Sequence, residues 1–286
     1  MRLLQESDMS PLRIIILASL AMVAFAGNSL LCRAALNETD IDAASFTSIR
    51  LLSGALVLWL VVRLRSGQQK GGGNWLSAVA LFVYAAGFSF AYISLPTATG
   101  ALLLFGAVQA TMIGYGVWSG ERLRGLQIIG LLLSLIGLVG LLLPGLAAPP
   151  LFGSILMLMA GVAWGIYSLR GKGSGDPTRV TAGNFLRAVP ITVMMSLFMW
   201  PHFSLDAAGL WYAVAAGAAA SGLGYAIWYQ ALPALRATSA ASLQLTVPVI
   251  AGVGGVFLLG EAVSLRLIVA SIAILGGVAL VIRQRG

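Results

Sequence analysis

The sequence predicts an all-α integral membrane protein with ten transmembrane helices, built as two inverted five-helix repeats with both termini cytoplasmic. Three observations predict it. Composition comes first: 59% of the 286 residues are hydrophobic, 9% are charged, and the mean hydropathy is +0.95. A soluble core could not hide that much apolar surface, so lipid must solvate much of it. The second is a series of apolar runs of about 20 residues, the length that crosses a hydrocarbon core of about 30 Å at 1.5 Å per residue. The third is an internal repeat.

Read between polar or Pro/Gly punctuation, the runs cover 12–32, 45–63, 75–94, 98–119, 125–143, 151–169, 182–200, 208–230, 237–259 and 265–282. The first contains Ile14 to Ala26, the length of a signal-peptide core, and Ala24-Phe25-Ala26 mimics a cleavage site. A retained helix is the better reading, because Glu6 and Asp8 are atypical of a signal's basic front and the run continues to Leu31. The longest polar stretch, 170–180 (RGKGSGDPTRV), falls near mid-chain, and no soluble domain fits between any two runs. GKGSGDPT lacks the spacing of a phosphate loop and reads as a flexible linker.

With the N-terminus inside, every lysine and arginine except Arg33, Arg50 and Arg266 falls on the cytoplasmic side, as the positive-inside rule requires. The acids Glu38, Asp40, Asp42, Asp206 and Glu261 fall outside. The formal charge of +8 is dispersed between apolar runs and forms no basic face, which argues against a nucleic-acid partner.

The halves match in order. Residues 22–30 (MVAFAGNSL) pair with 161–169 (GVAWGIYSL), Arg50 pairs with Arg187, and 101–137 pairs with 241–277, which aligns Gly120-Glu121 with Gly260-Glu261. The expected units are 1–144 and 145–286. An odd number of spans per repeat turns the second copy upside down, and such inverted repeats make inward-open and outward-open packings nearly equal in energy. The repeat therefore points to transport by alternating access.

Polar and aromatic side chains inside the runs should face the protein, since hydrocarbon leaves them unsatisfied. Tyr84, Phe88 and Tyr92 recur every four residues in the third run; Ser221, Tyr225 and Tyr229 do so in the eighth. Tyr84, Phe88 and Tyr225 are expected at a central cavity, whereas Tyr92 and Tyr229 suit either that cavity or an aromatic interface belt. Asn28 and Phe25, with Trp164 and Tyr167 at paired repeat positions, add hydrogen bonds and flat apolar surface. Gln109 and Gln244 suit either substrate binding or interhelical hydrogen bonding. Pro248 is a hinge candidate, and Glu121 and Glu261 at helix ends are candidate gates or caps. Arg50 and Arg187 are expected near span ends, where they could snorkel or hold those glutamates.

No Asp, Glu, Lys or His lies near the middle of any run, which disfavours ion coupling through a central carboxylate. One cysteine, Cys32, and one histidine, His202, leave no assembly point for a disulfide, a metal site or a catalytic triad. No enzyme activity, cofactor or metal is expected.

The segments AFAGNS and AWGIYS, Arg50 and Arg187, and the tract from Tyr229 to Glu261 (YQALPALRATSAASLQLTVPVIAGVGGVFLLGE) resemble the drug/metabolite transporter superfamily, in particular its EamA-type ten-helix members. The first half departs in having Val108 where Pro248 stands in the second. The resemblance implies a central cavity lined by helices 1, 3, 4, 6, 8 and 9 and small metabolites exported from the cytoplasm. The aromatic lining looks most like the YddG-type exporters of aromatic and hydrophobic amino acids. The expected protein is thus a monomer in the bacterial cytoplasmic membrane, its partners a small-molecule substrate and membrane lipid. Efflux of lipophilic drugs or cations is the alternative, with a membrane-embedded enzyme or a scaffold behind it.

Overall fold

The computed structural model describes residues 10–65, 71–120, 125–143, 148–171, 175–231, 234–235 and 243–283. Eight helices are long and apolar enough to cross a membrane: α1 (Pro11–Glu38), α2 (Ala43–Leu64), α3 (Trp75–Tyr92), α4 (Thr97–Trp118), α5 (Gly125–Leu142), α6 (Leu151–Arg170), α7 (Pro177–Phe198) and α8 (Ala207–Ala231). Two further apolar helices follow, α9 (Thr246–Leu259) and α10 (Leu265–Arg283). No strand occurs among the described residues.

Short polar side chains set where the helices begin. Asp42 Oδ1 accepts from Ala44 N and Ser45 N at 2.9 Å, Asn74 Oδ1 from Ser77 N at 2.9 Å, Asp176 Oδ1 from Arg179 N at 3.0 Å and Asp206 Oδ1 from Gly209 N at 3.1 Å. Each satisfies amide groups that a first helical turn leaves without partners. Asp176 and Pro177 start α7 five residues before the apolar run does, so the end of the apparent linker is helix. Large apolar side chains such as Trp118, Phe198, Phe257 and Leu265 point outward, as a lipid-solvated surface requires.

Helices α1 to α4 and α6 to α9 pack around one buried core. Helices α5 and α10 pack chiefly on each other and reach that bundle through α4. Their contact is close because its residues are small. Gly130 faces the Gly277 carbonyl, Gly137 faces Ala273, and Ser134 Oγ donates to Ile274 O at 3.1 Å.

Hydrogen bonds tie the loops into two ends. At one, rich in acids, Asp42 N donates to Ser204 O at 3.0 Å and Arg266 Nη1 to Leu143 O at 2.7 Å. At the other, rich in arginine, Arg65 Nη1 donates to Thr178 Oγ1 at 3.0 Å, Asn74 N to Asn184 Oδ1 at 2.9 Å, and Arg187 Nη1 to Gly72 O.

Candidate functional site

The repeat of four places Tyr84 and Phe88 on one face of α3, and α1, α4, α6 and α8 close around that face. The central cavity is lined by Phe25, Asn28 and Ser29 of α1, Tyr84 and Phe88 of α3, Leu104 and Phe105 of α4, Trp164 of α6, and Tyr225 of α8. Its volume is about 20 Å³, room for about one water molecule. The site is closed on itself.

Trp164 is the hub. Its ring lies 4.8 Å from Tyr84, 4.9 Å from Tyr225 and 5.4 Å from Tyr167, the last nearly parallel at 26°. Phe25 meets Tyr225 edge-on at 5.7 Å, and Tyr84 meets Phe88 at 5.5 Å. Offset and edge contacts of this kind add about 0.5–1.5 kcal/mol each beyond area burial. Tyr167 stands behind Trp164, where its hydroxyl accepts from Asn184 Nδ2 at 3.4 Å.

A polar relay runs through Tyr84. Its hydroxyl accepts from Asn28 Nδ2 at 3.3 Å and from Arg50 Nη2 at 3.1 Å. Arg50 Nε donates to Ser221 Oγ at 3.2 Å, and the guanidinium carbon lies 4.9 Å from the Phe88 ring centre and 5.3 Å from that of Tyr84. Arg50 is 1% exposed, the largest of the fully buried side chains. It neither snorkels nor holds a glutamate: placement two turns into α2 puts it behind the cavity wall. An uncompensated buried charge costs several kcal/mol, and Glu261 is paired elsewhere, with Arg33.

The shape of α8 makes this contact possible. Over Ala215–Leu223 (AAGAAASGL) the helix widens to i→i+5 hydrogen bonding, a rare arrangement that concentrates at functional sites. A side chain on Gly217 would collide with Arg50 O and Ser53 Oγ, so α2 and α8 touch backbone to backbone and Ser221 reaches the guanidinium.

Some buried polar atoms have no partner among the described residues: Asn28 Oδ1, Arg50 Nη1, Gln109 Nε2 and Thr97 Oγ1. Buried polar atoms are nearly always paired in native proteins, so each such group wants an explanation. Gln109 is buried one turn beyond Phe105 but does not line the cavity, and Gln244 is half-buried outside it. Ser29, Leu104, Phe105 and Arg50 complete the site without having been singled out for it from sequence.

Tyr92 is fully buried, donating to Thr97 O at 3.3 Å, and belongs to no interface belt. Beside it, the acidic end of the bundle is latched. Glu261 Oε1 accepts from Arg33 Nε at 3.2 Å, and its two oxygens accept from Thr97 N at 3.0 and 2.8 Å. Arg33 Nη1 also donates to Tyr92 O at 2.9 Å and Ile93 O at 3.2 Å. Pro96, which precedes α4, offers no side-chain cap, so Glu261 caps that helix from across the bundle. Gly260, at φ 63°, ends α9 in the left-handed turn that sends Glu261 back toward it. Pro248 falls in the first turn of α9, where a missing amide hydrogen is tolerated. Glu121 lies outside the described residues.

A polytopic helical bundle enclosing a small aromatic and polar chamber, tied by hydrogen bonds at both ends, has the form of a membrane transporter. Residues 151–283 match the EamA-like transporter family. An uncharacterized protein of Pseudomonas aeruginosa is 56% identical over 274 residues, covering 96% of each chain. Two uncharacterized transporters of Archaeoglobus fulgidus are 26% and 28% identical over 265 and 248 residues, covering 86% and 85% of this chain and 89% and 88% of theirs. The second half of the chain thus carries the EamA-like transporter signature. A solved crystal structure shares its fold at a TM-score of 0.67 and 20% identity, over 95% of this chain and 98% of that one.

Proposed function

We propose that this transporter exports small neutral metabolites, aromatic and other hydrophobic amino acids foremost, across the bacterial cytoplasmic membrane by alternating access. The observation that carries the reading is the chamber: Phe25, Phe88, Trp164, Tyr84 and Tyr225 form an apolar box, with Asn28 as its polar corner. Such a lining suits a flat or branched apolar group attached to a small polar head. Residues 1–144 and 145–286 act as inverted repeats of five spans each, and the arginine-rich end faces the cytoplasm.

In this reading the protein is a monomer in an occluded state. Opening the latch at Glu261 exposes the chamber to the exterior, loosening the arginine-rich end exposes it to the cytoplasm, and Pro248, at the start of α9, is the hinge on which that helix swings between the two. Among the described residues no carboxylate, lysine or histidine lines the chamber, so substrate runs down its own gradient without a central carboxylate to carry protons. Flux of labelled phenylalanine and leucine in proteoliposomes, with and without a pH gradient, tests this. Downhill flux independent of that gradient is expected; transport of quaternary cations alone would reject it.

A further inference from the structure

We infer that Arg50 is the receptor for the substrate's carboxylate, so that an anionic group is a condition of transport and not merely a feature of preferred substrates. The inference rests on the substrate reading above and deepens it. Its ground is a charge that the described residues do not balance. Arg50 is buried, no ion pair involves it among the described residues, and its Nη1 has no acceptor. A cation kept at such a position calls for a counter-charge. The acids of the described residues stand in the loops or at helix ends, away from it.

Only one layer of rings separates the guanidinium from the cavity. Those rings, Tyr84 and Phe88, are themselves cavity lining. Ligand pockets run to about 300 Å³ and more, far above the present 20 Å³, so a substrate enters only when the walls move apart. Displacement of Tyr84 and Phe88 uncovers Arg50 on that side. The carboxylate then takes the free Nη1 and replaces the phenol on Nη2, giving the two-pronged contact that guanidinium groups make with carboxylates.

The other unpartnered groups complete the match. Asn28 Oδ1 lacks a donor at the same chamber and suits an ammonium group, which the faces of Trp164 and Phe25 also attract. An α-amino acid with an apolar side chain supplies all three features at once. A lipophilic cation supplies the wrong charge next to Arg50 and is excluded. A purely structural role for Arg50, as a strut joining α2, α3 and α8, makes a different prediction, because a strut does not distinguish ligands by charge.

Three ligands of one skeleton separate the cases: phenylalanine, 3-phenylpropionate and 2-phenylethylamine, each measured as a competitor of labelled phenylalanine uptake and as a perturbant of tryptophan fluorescence. Wild-type protein is expected to bind the two acids at least about tenfold more tightly than the amine. Arg50→Gln is expected to weaken both acids by about 30-fold or more, the loss seen when one partner of a buried charge pair is removed, and to bind the amine at least as tightly as the wild type does. Equal binding of amine and acids by the wild type overturns the role of Arg50 and needs no variant to be folded. Equal weakening of all three by Arg50→Gln also overturns it. Failure of wild-type protein to bind any of the three overturns the amino-acid reading together with this inference, and is distinguished from the other outcomes by that silence.

Discussion

Replacing Glu261 by glutamine should unlatch the acidic end of the bundle, and the protein carries its own reporter for the event. The variant keeps an oxygen that can accept from Thr97 N and removes the charge that faces Arg33. Unit charges 3.2 Å apart attract by roughly 5 kcal/mol at an effective dielectric of about 20 before desolvation is subtracted. The side chains are 15% and 13% exposed, so solvent screens the pair only in part. After desolvation, a hydrogen bond to a charged group retains about 1.5–3 kcal/mol. If that sum stabilises the closed end alone, its loss raises the open population by about 10- to 150-fold. Cys32, the single cysteine, is fully buried one residue before Arg33. A membrane-impermeant maleimide therefore labels it only when this end opens, at a rate proportional to the open fraction while opening is fast. Faster labelling of Glu261→Gln in right-side-out vesicles, by tenfold or more, is expected, and Arg33→Gln should match it without adding to it. Labelling of Glu261→Gln at the wild-type rate would refute the latch.

Tyr84→Phe removes the hydroxyl that serves Asn28 and Arg50; the unpaired groups should cost about 1–3 kcal/mol of stability, read as a fall in Tm in detergent, with phenylalanine flux reduced. Gly217→Leu should abolish folded protein in size-exclusion profiles, because its side chain meets the α2 backbone at Arg50; Gly276→Ala, with nothing within 4 Å, serves as the neutral control. Ser134→Leu breaks the hydrogen bond to Ile274 and overfills the α5–α10 contact, which should lower stability by about 1–3 kcal/mol while leaving substrate competition intact.

The helices were legible because each is an apolar run bounded by polar residues, and lipid demands both. Their ends were less so. The α7 start is ambiguous in the sequence, because Asp176 and Pro177 suit a linker, although an acid followed by proline is also a helix-start signal. Span nine was expected from 237, whereas the described helix begins at Thr246 and residues 236–242 lie outside the description. Tyr84, Phe88, Trp164 and Tyr225 stood out as aromatic or polar residues at helical spacing. Leu104 and Phe105 did not, because in a helix that is apolar all round no periodicity separates the chamber from the lipid. For Arg50 the sequence shows its distance from a span end, but not that α3 and α8 cover it. Glu261 is legible as a gate or cap at a helix end, but not that the helix it caps is α4, a pairing of residues 164 positions apart that local spacing does not encode.

The widened stretch of α8 has a further consequence for the phase of that helix. Bonding from i to i+5 stores more residues per turn than an α-helix, and each residue of an ordinary helix advances the direction of its side chains by about 100°. Losing one alanine from AAGAAASGL can therefore be absorbed by tightening this turn, with Tyr225 still aimed at the chamber. Loss of Gly224, just beyond that stretch, would swing Tyr225 away from the chamber. An alignment gap between Ala215 and Leu223 in a relative should accordingly be read as a change of helical pitch, not as a shortened loop.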